Sequence, residues 1–139
     1  MNKIRFRTKP FWLRWLTGPR TWVAIAPCIY HPKGKDPSLH PALIEHEKTH
    51  IAQQRAKGLY KWLFRYLTSK KFRLHQEVEA IAVEIANTPA KERSWLAHEY
   101  ASQLAGKQYR RAAPCAWAAL EMIKNEVRRL EGGQQNGKI

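Results

Sequence analysis

The hydrophobic and polar positions change their pattern along the chain, and the change divides it into two parts. Residues 1–20 mix basic and aromatic side chains, which predicts a short amphipathic helix or an arm lying over the core. Residues 22–30 form a β-prone apolar run that ends in the turn-rich segment 31–37. We therefore expect one or two strands in this first part of the chain.

From Pro41 onward the apolar residues recur with helical spacing. Pro41 suits the first turn of a helix and Gly58 is a natural stop, so a helix of about 16 residues is expected between them. Further helices are predicted over 59–67, 73–87, 90–107 and 113–131, followed by a flexible tail over 132–139. The pattern indicates an α+β fold, predominantly helical, in which a small β-element packs beside the first long helix.

The composition fits one domain over residues 1–139, with a modest core supplied by six Trp, five Tyr and four Phe. The net charge of +14 favours an anionic partner at the basic surface, which would be a nucleic acid, a membrane surface or an acidic protein. The apolar residues near the N-terminus are interrupted by Arg14, Gly18 and Pro19, so neither a membrane span nor a cleavable signal peptide is recognised. A cytoplasmic location is the expectation from this pattern.

The pattern that points to chemistry is His46-Glu47-Lys-Thr-His50, an H-E-x-x-H motif inside the first long predicted helix. His46 and His50 are four residues apart, so both imidazoles project from one face and can share a metal ion. Glu47 is displaced around the helix, from where its carboxylate can reach a metal-bound water without binding the metal. Two imidazoles, one carboxylate and an open position are typical of catalytic zinc.

This motif, followed by Ile51-Ala-Gln-Gln54 and a later Glu-x-x-Ala, resembles the HEXXH zincins of the gluzincin type, including small phage-encoded or phage-tail-associated members. The resemblance covers roughly residues 22–87. It implies a zincin-like minimal domain and a zinc-dependent metallopeptidase that binds one Zn²⁺ per chain and acts on a protein or peptide substrate. In that family the first Glu of Glu-x-x-(small) is the third zinc ligand, and here it matches Glu77, with Ala80 as the small residue.

Two other carboxylates compete with Glu77 for the metal. Glu79 points about 200° away from Glu77 around the helix, so only one of the pair can face the zinc. Glu84 lies on nearly the same face as Glu77 but about 10 Å further along the axis. The family often places Asp or Asn directly after the small residue, whereas this chain has Ile81. The partner of a zinc-bound histidine is then a backbone carbonyl, another carboxylate such as Glu84, or absent.

The resemblance also implies roles in catalysis. Glu47 would accept a proton from the zinc-bound water and pass it to the leaving amine. The oxyanion needs one donor besides the zinc, and the candidates are Tyr100, Tyr109 and His98.

The alternative to an active peptidase is a weak or inactive zinc protein that binds nucleic acid or a membrane surface. The segment 11–16 is Trp-rich, cationic and amphipathic, as interfacial segments are, although packing of these aromatics into the core is the more ordinary expectation.

Overall fold

The computed structural model describes residues 3–136 and has the predicted α+β, mostly helical architecture. Six α-helices and a small three-stranded sheet follow one another in the order β1 (Arg5–Thr8), α1 (Phe11–Thr17), β2 (Val23–Ile25), β3 (Cys28–His31), α2 (Pro41–Lys57), α3 (Leu59–Thr68), α4 (Lys70–Ala86), α5 (Ala90–Ala105) and α6 (Ala116–Asn136). Short 3₁₀ turns lie at Pro37–Leu39 and Lys107–Tyr109.

The sheet has the strand order β1-β3-β2, with β1 parallel and β2 antiparallel to β3. The one or two strands expected from residues 22–30 are present as β2 and β3, but β1 was not predicted. Its four residues are exposed and carry no one-sided apolar pattern, so it is recognisable only through its pairing with β3.

Helix α2 has the bounds that its sequence signals predict, and the sheet packs beside it. Pro41 occupies the first turn, and Gly58 ends the helix at a φ of +85°, a conformation that glycine adopts without steric cost. The buried amide of Gln54 connects α2 to the sheet, because it accepts a hydrogen bond from the Ala26 N–H at 2.7 Å and donates one to the Ala24 carbonyl at 2.9 Å.

Helix α4 runs through the centre of the molecule, and its apolar face forms the core with α5 and α6. The buried residues recur at three- and four-residue spacing on each helix, as amphipathic helices require. They include Leu74, Val78, Ile81 and Ile85 of α4, Ala97, Ala101 and Leu104 of α5, and Ala119, Leu120 and Ile123 of α6.

The bounds of two helices differ from the prediction by three residues or more. Helix α4 begins at Lys70 rather than at residue 73, because the Ser69 side chain accepts a hydrogen bond from the Phe72 N–H and caps the helix there. Helix α6 begins at Ala116 and continues through two glycines to Asn136. The flexible tail expected from residue 132 is therefore helical as far as Asn136, since an established helix tolerates terminal glycines at about 1 kcal/mol each. Residues 137–139 lie outside the described residues.

The aromatic N-terminal segment does not pack into the core as expected. Of the large apolar residues of α1, Leu13 is buried, whereas Phe11, Trp12, Trp15 and Leu16 are exposed. Across residues 3–136, no helix combines the length and the apolar character needed to cross a membrane.

Candidate metal centre

The two histidines of the H-E-x-x-H motif lie side by side on the buried face of α2. Their ring centroids are 5.0 Å apart, and His46 and His50 are 4 % and 7 % exposed. The four-residue spacing brings both imidazoles to one side of the helix, which is the arrangement a shared metal ion needs.

Helix α4 brings Glu77 to the same point. Its carboxylate oxygens lie 3.7 Å from His46 Nε2 and 3.5 Å from His50 Nε2, and one potential ligand atom from each of the three residues lies within 4.8 Å of the others. Ala80, the predicted small residue one turn later, is fully buried. The structure therefore assembles the three predicted ligands from two separate helices.

The carboxylate of Glu77 has an acceptor atom left over. Its Oε2 is buried and has no hydrogen-bond partner within the described part of the chain, whereas its Oε1 accepts a hydrogen bond from the Tyr66 hydroxyl. A buried acceptor without a partner is costly, and a cation placed between this oxygen and the two Nε2 atoms would relieve that cost. The donor set of two nitrogens and one carboxylate fits a zinc ion.

The electrostatics of the three residues favour a positive charge at this point. Burial alone would raise the pKa of Glu77, but His50, His46 and the Tyr66 hydroxyl outweigh it and lower that pKa. Burial likewise opposes a charge on His50, yet the adjacent Glu77 carboxylate raises the pKa of His50 to about 9. In the metal-free protein, a proton on His50 thus supplies the charge that a metal ion would replace.

Each histidine is oriented by a hydrogen bond at its other ring nitrogen. His46 Nδ1 lies 2.9 Å from Glu84 Oε2, and the same carboxylate oxygen accepts a hydrogen bond from the Tyr100 hydroxyl at 2.7 Å. His50 Nδ1 lies 2.9 Å from Gln53 Oε1. With Nδ1 donating to these oxygens, both Nε2 atoms face Glu77, and loss of the proton from His50 leaves each of them as the acceptor that a metal ligand requires.

Because Ile81 cannot accept a hydrogen bond, another group had to support a zinc-binding histidine. The structure shows that the Glu84 carboxylate does so for His46. Glu79, the main competitor of Glu77, points elsewhere and accepts a hydrogen bond from Gln53 Nε2 at 2.9 Å. Its carboxylate thus holds the amide that orients His50.

Helix α3 closes one side of the cluster with two aromatic residues that the sequence did not single out. Trp62 and Tyr66 stack with ring centroids 4.7 Å apart, and Trp62 meets His50 edge-on at 5.7 Å. The Trp62 indole N–H donates to Gln76 Oε1 at 2.8 Å, which ties α3 to α4. The sequence feature that could have identified Trp62 and Tyr66 is their four-residue spacing, which places both on the inner face of α3.

Glu47 lies in the same electrostatic cluster, 5 % exposed. Burial raises its pKa, His46 and His50 oppose that shift, and the carboxylates of Glu77 and Glu84 raise the pKa further.

The three predicted oxyanion donors differ in their positions. Tyr100 stacks on His46 but donates its hydroxyl to Glu84. His98 is exposed on the other side of α5, where it lines a groove with Ile123 and Val127 of α6. Burial and the charges of the Glu77, Glu47 and Glu84 carboxylates raise the pKa of Tyr109 well above its ordinary value. Tyr109 is therefore close to the site. Because the Tyr100 hydroxyl is engaged by Glu84 and His98 faces solvent, Tyr109 is the remaining candidate donor of the three.

The buried Arg73 positions Tyr109 from α4. Its Nε donates to the Tyr109 carbonyl at 3.1 Å, and its Nη1 donates to the Tyr66 carbonyl. The Arg73 guanidinium thus connects α3, which carries Tyr66, to the 3₁₀ turn that carries Tyr109.

No known protein family, curated protein or solved structure matches the chain.

Proposed function

We propose that this protein is a zinc-dependent peptidase with a zincin-like site. In this proposal His46, His50 and Glu77 hold one zinc ion per chain, and Glu47 is the general base. The observation that carries it is the buried Oε2 of Glu77, which has no hydrogen-bond partner among residues 3–136 and faces the Nε2 atoms of two histidines whose rings are oriented by Glu84 and Gln53. A structural ion pair alone would not need both histidines oriented in this way.

A bound zinc ion would supply a Lewis acid that polarises a peptide carbonyl and makes a water molecule more acidic. The Glu47 carboxylate then takes the proton from the attacking water and delivers it to the leaving amine. Burial raises the pKa of Glu47, and a base whose pKa lies closer to neutral pH both accepts and returns a proton readily. The Tyr109 hydroxyl is the proposed donor to the carbonyl oxygen as negative charge develops on it.

The test is the Glu47→Gln variant, assayed beside the parent protein on a mixed fluorogenic peptide library. The variant keeps the shape of the side chain and removes the base, so it should bind zinc as the parent does and lose at least about 100-fold of the cleavage rate. Chelation should abolish cleavage by the parent, and added zinc should restore it. Chelator-sensitive cleavage that survives Glu47→Gln unchanged would contradict the assigned base.

The alternative function remains a zinc protein without peptidase activity that acts by binding an anionic surface. It would be favoured if the parent bound zinc with the proposed ligands but cleaved no member of the library.

A further inference from the structure

Helix α1 turns its apolar face to the solvent. Phe11, Trp12, Trp15 and Leu16 are 76 %, 57 %, 78 % and 65 % exposed, whereas Leu13 is 3 % exposed. At 100° per residue, the four exposed side chains cover about 140° of one side of the helix. These four residues are named the α1 patch. Contiguous exposed apolar side chains of this kind mark sites of interaction with a partner.

The surroundings of the α1 patch are positively charged. Strand β1, joined to α1 by two residues, exposes Arg5 and Arg7, and Arg20 is exposed shortly after the helix ends. The first acidic residue of the chain is Asp36, whereas the exposed residues before it include Lys3, Arg5, Arg7, Arg20, Lys33 and Lys35. Any partner of the α1 patch therefore meets a cationic border.

We propose that the α1 patch binds the surface of an anionic lipid bilayer. Tryptophan prefers the boundary between headgroups and acyl chains, and arginines beside it attract anionic headgroups. The binding is peripheral, since no helix of residues 3–136 is suited to cross the membrane. The proposal does not depend on the metal site or on peptidase activity.

The chemistry of the patch favours a bilayer over two other partners. A second copy of the chain would bring two identical arginine borders together, each on a protein of net charge +14. Single-stranded nucleic acid stacks its bases on aromatic rings along a groove. The α1 patch instead lies on a convex helix and includes Leu16, which offers no ring for stacking but can enter lipid.

The α1 patch is firmly attached to the rest of the molecule. The buried ammonium of Lys9, just before α1, donates hydrogen bonds to the carbonyls of Gly18 and Thr21, just after it. These bonds close the segment on itself, and β1 joins it to the sheet that Gln54 connects to α2. Membrane binding through α1 would thus orient the whole domain on the bilayer.

The experiment is flotation of the full chain with vesicles made of equal parts phosphatidylcholine and phosphatidylglycerol, with pure phosphatidylcholine vesicles in parallel. The parent should float with the anionic vesicles, and the Trp12→Ser/Trp15→Ser variant should partition about tenfold less or weaker still. The matched control is Trp95→Ser/Trp117→Ser, which removes two tryptophans that are 68 % and 72 % exposed on α5 and α6. This control should float like the parent. Replacing Arg5 and Arg7 by Gln should reduce binding about fivefold for each arginine.

Circular dichroism of each variant establishes that it is folded, and Trp15→Ser alone serves if the double variant is not. The proposal is overturned if the parent does not bind anionic vesicles, or if the α1 and control variants lose binding equally. Two outcomes would assign the α1 patch to another partner. If the parent binds a single-stranded oligonucleotide but no vesicles, and the α1 variant loses that binding, the partner is a nucleic acid. If the parent self-associates in sedimentation but binds no vesicles, and the α1 variant does not self-associate, the partner is a second copy of the chain.

Discussion

Glu84 gives the sharpest test of how the candidate centre is organised. One oxygen of its buried carboxylate accepts from His46 Nδ1 at 2.9 Å and from the Tyr100 hydroxyl at 2.7 Å. Glu84→Gln keeps the length and shape of the side chain but removes the negative charge that fixes the His46 tautomer and strengthens its Nε2 as a ligand. Loss of such a partner costs about 10- to 100-fold in metal affinity, which corresponds to about 1.4–2.7 kcal/mol of binding free energy.

The assay is competition for zinc between the metal-free protein and a chromogenic chelator. Tyr100→Phe removes one donor to Glu84 but leaves the carboxylate on His46, so its effect should be smaller than that of Glu84→Gln. The control is Glu99→Gln, the same substitution at an exposed carboxylate that contacts Gln103 on α5. The reasoning is refuted if Glu84→Gln folds like the parent and binds zinc with the affinity of the parent and of the Glu99→Gln control.

Two further predictions concern the proton on His50 and the contact between α2 and the sheet. Because the pKa of His50 is raised to about 9 in the metal-free protein, zinc must displace a proton below that pH, and its apparent affinity should rise about tenfold per pH unit from neutrality towards pH 9. A zinc affinity that is independent of pH over this range would contradict the assignment. The raised pKa of His50 also stabilises the metal-free protein; this stabilisation is complete below pH 6.5, the ordinary pKa of histidine, and is lost as the pH rises through 9. Gln54→Ala removes both hydrogen bonds to the sheet and should lower the free energy of unfolding by about 1–3 kcal/mol in urea titrations, whereas Gln103→Ala, which loses a bond to an exposed carboxylate, should change it little.

The parts of the fold and site that the sequence predicts are those set by short-range rules. Pro41 and Gly58 define α2 through backbone constraints that act locally, and the four-residue spacing of His46 and His50 fixes their common face. The same rotation rule separates Glu77 from Glu79 on α4, because residues two apart cannot share a face.

The parts that escaped prediction depend on contacts between distant segments. Strand β1 forms through parallel pairing with β3, and nothing in its own four residues records that pairing. Tyr66 reaches Glu77 only because α3 folds against α4. The exposure of α1 has a similar origin, since the composition of residues 11–16 favours a buried helix. Whether these side chains are exposed depends on where α1 packs in the fold.

The central claim is the metal site, and the most direct measurement is the zinc content, by mass spectrometry, of protein purified without a histidine tag. The account predicts one zinc per chain in the parent and in Glu79→Ala, and a loss of most of the bound zinc in Glu77→Ala although the protein remains folded. A parent protein that binds no zinc when the metal is supplied, or a Glu79→Ala variant that loses the metal while Glu77→Ala keeps it, would contradict the account.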